Sequence, residues 1–262
     1  NLLVRGPHFS NGYFANGIVV KNAWYPMLDN VKITSEYGDS HGKMAAGFAL
    51  LDCYSPLVDK CYFWGGAEYG LLYRSEIDSE DGIVSDCYFV GQDTGIRVRL
   101  SARTDGWGEP AFHLTDSHIH YKVKGLALKG IRQGFVSGNL FYCFNRAASR
   151  WHADPDSVSS YTSKDIECDA VNDFIVSHNQ FAEPASPKRV CIDILPNSGN
   201  LLIDGNIFNM DGTAIRNRSQ VSSRCIGNVY TGSPDFTKSA DGANALIRYV
   251  DPNGTLKTLD FE

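Results

Sequence analysis

The chain has 262 residues, a net charge of −6 and 43% hydrophobic residues, enough apolar content for a continuous core and the wrong overall charge for a polyanion-binding role led by electrostatics. No run of 18 apolar residues and no signal peptide is present, so membrane insertion and nucleic-acid binding are not expected. Seven cysteines without a CxxC spacing indicate neither a zinc site nor a disulfide framework and read as reduced packing residues; no metal and no cofactor is expected.

Along the chain one six-residue string ending in a large apolar residue keeps returning: VRGPHF from Val4, LDNVKI from Leu28, VDKCYF from Val58, VSDCYF from Val84, LTDSHI from Leu114, VSGNLF from Val136, VSHNQF from Val176, IDGNIF from Ile203 and CIGNVY from Cys225. The starts are separated by 24, 30, 26, 30, 22, 40, 27 and 22 residues. A short alternating strand, often opened by glycine, precedes each of the last eight: GIVVK from Gly17, GFALL from Gly47, GLLYR from Gly70, GIRVR from Gly95, GLALK from Gly125, DIECD from Asp165, CIDIL from Cys191 and AIRNR from Ala214. Five times its first apolar residue lies ten residues before the next string, as from Ile18 to Leu28 and from Ile166 to Val176.

Period-two strands in a repeat of this length, with no helical stripe between them, predict an all-β parallel solenoid of about nine coils in one domain spanning 1–262. At about 4.8 Å per coil the rod is roughly 40 Å long. Phe63, Phe89, Phe141, Phe181 and Phe208 recur at one coil position and should pile into an internal ladder. Asn139, Asn179, Asn206 and Asn228 repeat two residues earlier, where an asparagine satisfies turn backbone and bonds its neighbour above. Cys61 and Cys87 hold the same position in adjacent coils, close enough for bonding, although stacking alone accounts for them. The solenoid begins at once, Leu2 to Phe9 matching Leu201 to Phe208, and an uncovered coil end is an exposed sheet edge; the chain reads as a fragment of a longer protein.

Loops enlarge on one flank in two adjacent coils, RSEIDSEDG from Arg74 and RLSARTDGWGEPA from Arg99. Trp107 beside Asp105, Glu109 and Arg103 has the composition of a sugar-binding wall, an aromatic for the apolar face of a pyranose and charged groups for its hydroxyls; a Trp packed against the rod is the alternative. The largest insertion, Asn145 to Lys164, is too irregular for a strand. Its Arg150, Trp151, His152, Asp154 and Asp156 are candidates for a substrate cleft, or for contact with a neighbouring subunit.

Strand alternation supplies a sharper signal. With Ile166 and Cys168 inward, Glu167 and Asp169 face out, and Asp193 does so one coil later. Aligning Ile192 with Ile166 makes Glu167 and Asp193 neighbours; the other register pairs Asp169 with Asp193. Either way two carboxylates lie one coil step apart, an arrangement that is destabilising unless used or compensated, because one member resists ionisation beside the other. Variants that remove one charge are therefore expected to fold normally. The same outward rows carry Arg74, Arg97, Arg99, Lys129, Arg216 and Arg218, so an ion-pair ladder that only solubilises the sheet is the competing reading.

Strings of the VSGNLF and IDGNIF kind, the asparagine ladder and the loop-walled flank resemble the pectin-lyase-like right-handed β-helix, especially the central domain of phage tailspikes that degrade bacterial surface polysaccharide. The resemblance covers about residues 2–250 and implies a homotrimer of parallel rods, located in the virion tail or outside the cell. It further implies cleavage of capsule or O-antigen by glycoside hydrolysis, with Glu167, Asp169 and Asp193 catalytic and Trp107, Trp151, His152, Arg97, Arg99, Lys129, Arg216, Asp105 and Glu109 binding substrate. The Asn-Thr-Asp, Asp-Asp, Gly-His-Gly and Arg-Ile-Lys elements of polygalacturonases are absent. Two alternatives stand beside hydrolysis. One is a lyase acting on uronic acids, in which Arg97, Arg99 or Lys129 neutralises the substrate carboxylate and His152 or Tyr161 abstracts the proton. The other is a non-catalytic adhesin. Sugar, linkage and stereochemical outcome are not encoded in any motif.

Overall fold

The computed structural model describes residues 3–5, 8–12, 16–35, 44–76, 79–101, 110–143, 163–182, 189–209, 212–221, 223–231, 234–238, 246–250 and 256–260, with side chains described between 16 and 231. Its strands form a right-handed parallel β-helix with three ladders. Ladder A stacks Asn16–Lys21, Met44–Leu51, Ala67–Ser75, the second part of Tyr88–Leu100, the second part of His118–Lys129, Lys164–Asp169, Val190–Ile194, Gly212–Asn217 and Pro234–Lys238, all parallel. Ladder B runs from Leu3–Arg5 through Met27–Asp29, Leu57–Asp59, Gly82–Ser85, Ala111–Thr115, Gln133–Ser137 and Asn172–Ser177 to Gly199–Asp204 and the start of Arg224–Thr231. Ladder C completes each coil, from His8–Gly12 to the end of Arg224–Thr231. The alternating strands of the sequence are ladder A, and each six-residue string is the corner from ladder B into ladder C. Leu246–Val250 and Leu256–Asp260 add an antiparallel pair. Among the described residues no helix is long and apolar enough to cross a membrane.

The B-to-C corner explains the string. Its third residue takes the left-handed conformation in coil after coil, at Asn30, Lys60, Asp86, Asp116, Gly138, His178, Gly205 and Gly227 (φ 49° to 74°), where Asn, Asp and Gly are least strained. The fourth residue turns inward and forms the expected ladder. Oδ1 of Asn206 accepts from the backbone N–H of Asn179 at 2.9 Å and from its Nδ2 at 3.0 Å, while that Nδ2 also donates to the Val136 carbonyl at 2.9 Å. Asn139 and Asn228 repeat the pattern on either side. The ladder continues through other residue types, the Ser117 N–H donating to Asn139 Oδ1, the Cys87 N–H to Ser117 Oγ and the Cys61 N–H to Cys87 Sγ at 3.3 Å. Cys61 and Cys87 are therefore rungs of this ladder, and all seven cysteines are buried and outside any disulfide.

The sixth residue of the string fills the core. Ile33, Phe63, Phe89, Ile119, Phe141, Phe181, Phe208 and Tyr230 are all at most 1% exposed, each burial contributing roughly 1.5–3 kcal/mol. From Phe141 onward the rings stack face to face, with centroids 5.4, 4.7 and 4.9 Å apart. This column also accounts for the glycine that opens many ladder A strands. A Cβ on Gly47 would lie 2.5 Å from the Phe63 ring and one on Gly95 would lie 2.3 Å from Ile119.

Corner lengths differ sharply. Every B-to-C corner joining separate strands has two residues, whereas the segments bordering ladder A reach ten residues between Leu100 and Ala111 and twenty between Cys143 and Lys164. Insertions thus enter on both sides of ladder A and nowhere else among the described coils.

Candidate functional site: the charged face of ladder A

Ladder A presents three outward columns. One holds Leu72, Arg97, Ala127, Glu167, Asp193 and Arg216 in register; a second holds Arg74, Arg99, Lys129 and Asp169; a third begins the strands with Lys124 and Lys164. Of the two registers open from sequence, the structure has Glu167 beside Asp193.

Four cations converge on that pair. Lys124 Nζ donates to Glu167 Oε1 at 2.5 Å, and Lys164 bonds both Glu167 Oε2 and, at 2.8 Å, Asp193 Oδ2. Arg216 grips Asp193 with Nε at 2.9 Å and Nη2 at 2.6 Å, and Arg218 adds Nη2 at 2.8 Å. Next to this cluster Lys129 pairs with Asp169 at 2.6 Å.

Two expectations are corrected. Asp193 points away from the core as the alternation predicts, yet its side chain is 0% exposed, because Lys164, Arg216 and Arg218 close over it. The carboxyl pair is also not a source of repulsion. Burial pushes Glu167 up, but the hydrogen bonds and charges of Lys124 and Lys164 overcome it and hold the carboxyl below the usual range. Burial likewise raises Asp193, and Arg216 and Lys164 bring it below. Both are ionised at neutral pH, so removing either charge uncovers cations instead of relieving strain.

Inside the rod a second acidic centre sits on the same strand. Arg189 donates Nε to Asp165 Oδ2 at 2.9 Å, Nη2 to Asp165 Oδ1 at 2.8 Å and Nη1 to the Ala182 carbonyl at 3.0 Å, and the Tyr121 hydroxyl donates to Asp165 Oδ1. All three side chains are fully buried. One cation, one carboxylate and matched donors leave nothing for a ligand, so this centre is structural.

The predicted residues fall into three groups. Glu167, Asp193 and Arg216 are in the cluster, with Asp169 and Lys129 adjoining it. Arg97 and Arg99 lie on the same face, both on one strand two coils before Glu167 and Asp169. Trp107, Asp105, Glu109, Trp151, His152 and Tyr161 lie outside the described residues, as do Arg103, Arg150, Asp154 and Asp156. Sequence reasoning missed Lys124 and Lys164, which stand one residue before the strand starts read from Gly125 and Asp165; a lysine at that place in successive coils was the available signal. It also missed Arg189, which follows an irregular stretch.

No family model and no curated protein sequence matches the chain. Its fold matches solved structures of the parallel β-helix class. Tailspike protein 2 of Escherichia coli O157:H7 bacteriophage CAB120 superposes with a TM-score of 0.64 at 12% identity, over 92% of this chain and 35% of that one. A mutant tailspike of E. coli bacteriophage HK620, solved in complex with a pentasaccharide, gives 0.58 at 15% identity, over 83% and 42%. PfbA, a surface adhesin of Streptococcus pneumoniae, gives 0.56 at 14% identity, over 88% and 59%. The chain therefore spans between about a third and three fifths of these structures. They establish the tailspike-like β-helix fold.

Proposed function

We propose that the protein binds a bacterial surface polysaccharide lengthwise on ladder A and cleaves it by glycoside hydrolysis. The observation that carries this reading is the pairing of Glu167 with Asp193 in register one coil apart, on the one face that variable segments border on both sides. A glycan laid along the rod would cross Glu167 and the cations that cover Asp193, and the pentasaccharide held by the HK620 tailspike makes a sugar polymer the natural ligand class to test.

The electrostatics divide the labour. Glu167 is held ionised at the surface, which suits a base that activates water or a nucleophile that attacks the anomeric carbon, and not the acid that protonates the leaving oxygen; Asp193, ionised beneath Lys164, Arg216 and Arg218, positions the cations around it. In this reading the acid is a third group, and Asp169, two residues from Glu167 on the same strand, is a third carboxyl of this face. Lys124, Lys164 and Arg216 fix the carboxylates in place. As a tailspike-like rod the protein would work on a virion tail or outside the cell, as one subunit of a homotrimer.

Incubation with a panel of capsular polysaccharides and O-chains, read by product mass, tests the proposal. Hydrolysis adds one water per bond cut and leaves saturated ends. Unsaturated, ultraviolet-absorbing ends would move the assignment to a lyase, and polymer left intact across the whole panel would move it to an adhesin. On a cleaved substrate, Glu167→Gln is expected to lose about a hundredfold or more in turnover, the usual scale for a general base or acid, and Asp193→Asn to lose turnover through the displaced Lys164 and Arg216.

A further inference from the structure

Arg74, Arg97 and Arg99 stand on the ladder A face outside the Glu167–Asp193 cluster. Arg74 and Arg99 are paired in register on adjacent coils, Lys129 follows on the next, and Arg97 occupies the neighbouring column. Arg74 and Arg99 are exposed and Arg97 is half-buried. Lys129 has its partner in Asp169, whereas the three arginines make no ion pair with a carboxylate among the described residues. Like charges directly opposite each other on adjacent strands are destabilising, and the whole chain is net −6, so this concentration of positive charge runs against the character of the protein. The cluster further along the face adds to it: four cations, Lys124, Lys164, Arg216 and Arg218, surround two carboxylates.

We propose that the Arg74–Arg97–Arg99 stripe takes the carboxylates of an acidic polysaccharide running along the rod, and that it makes the site selective for uronic-acid-bearing polymers over neutral ones. The inference rests on the glycan reading above and adds the charge of the sugar. Coils repeat at about 4.8 Å, so a polymer parallel to the rod axis meets a fresh cation at nearly every step. A guanidinium meets a carboxylate with two parallel N–H donors, the geometry that favours arginine over lysine for this task. Anionic ligand on the stripe also removes the repulsion between Arg74 and Arg99, so binding should stabilise the fold.

The test measures binding of polygalacturonate, neutral dextran and double-stranded DNA to the full chain and to an Arg74→Gln/Arg97→Gln/Arg99→Gln variant, at low and physiological salt. Polygalacturonate should bind the parent chain more tightly than dextran or DNA and raise its melting temperature. The triple variant should lose about tenfold or more, with a shallower salt dependence, as expected when charge-assisted contacts are removed. Arg99→Gln alone, a single change at an exposed position, should lose about threefold on the same grounds. Equal affinity of parent and triple variant for polygalacturonate would overturn the proposal, and so would DNA binding as tight as polygalacturonate, which would mark a general polyanion surface. If dextran binds and polygalacturonate does not, acid selectivity fails and the glycan reading stands. If no polysaccharide binds, both fail.

Discussion

Asp165 and Glu167 are two residues apart on one strand, and each is held by cations, yet the two centres differ in kind. Asp165 is sealed in the rod with a single arginine and a tyrosine hydroxyl, each guanidinium nitrogen bonded to an oxygen. Glu167 and its neighbour Asp193 lie on the outer face among four cations. A closed one-to-one pair has no capacity left. The outer cluster sets four cations against two carboxylates at the surface of the rod, which is why the outer centre is read as functional and the inner one as structural.

The harshest way to break this comparison is at the inner centre. Arg189→Met strands a buried carboxylate and should destabilise the fold by about 3–5 kcal/mol, seen as a lower denaturant midpoint. Replacing both partners, Asp165→Leu with Arg189→Met, should restore much of that loss, because an apolar pair needs no compensation. Asp193→Asn should cost less, about 2–3 kcal/mol, since the cations it uncovers are partly exposed and can rehydrate. A variant as stable as the parent would mean that Asp193 contributes nothing to the rod, contrary to its burial under three cations.

Acid sharpens the contrast. Glu167 and Asp193 have carboxyls lowered in the folded state, so their contribution is fully present above the unfolded carboxylate range, near pH 4, and is lost as pH falls through the lowered values. The melting temperature should drop below about pH 4, and the drop should be smaller in a Glu167→Gln/Asp193→Asn variant. Smallest of all is Lys129→Gln. That pair is open to solvent, Lys129 being 48% exposed, and its loss should cost about 0.2–1 kcal/mol; equilibrium unfolding will show whether it exceeds that range.

The scaffold was legible in the sequence because it is written once per coil. Left-handed corner residues, the asparagine rung and the inward phenylalanine occur at fixed offsets, and nine imperfect copies reveal what one would hide. The charged face was legible in part. Alternation put Glu167, Asp169 and Asp193 on the outer side, and the ten-residue spacing favoured the register that the structure has. Burial of Asp193 was not readable, since it comes from three long side chains folding over a group that the backbone directs outward. Whole-chain charge is silent for a similar reason: a net of −6 says nothing about where the arginines gather. Arg189 defeated the reading because a buried arginine is rare and its partner lies 24 residues away.

The two-residue corner from ladder B into ladder C has one further consequence, for the ancestry of such a chain. Because every copy has the same length and the same hydrogen-bonded rung, a cut at one corner can be rejoined at another without disturbing the phase of the stack. Duplication, deletion or exchange of whole turns between related genes is thereby tolerated at this seam, as stacked-repeat energetics allow. The segments bordering ladder A are free to lengthen independently. A lineage built this way can keep its frame while trading its outer surface, turn by turn.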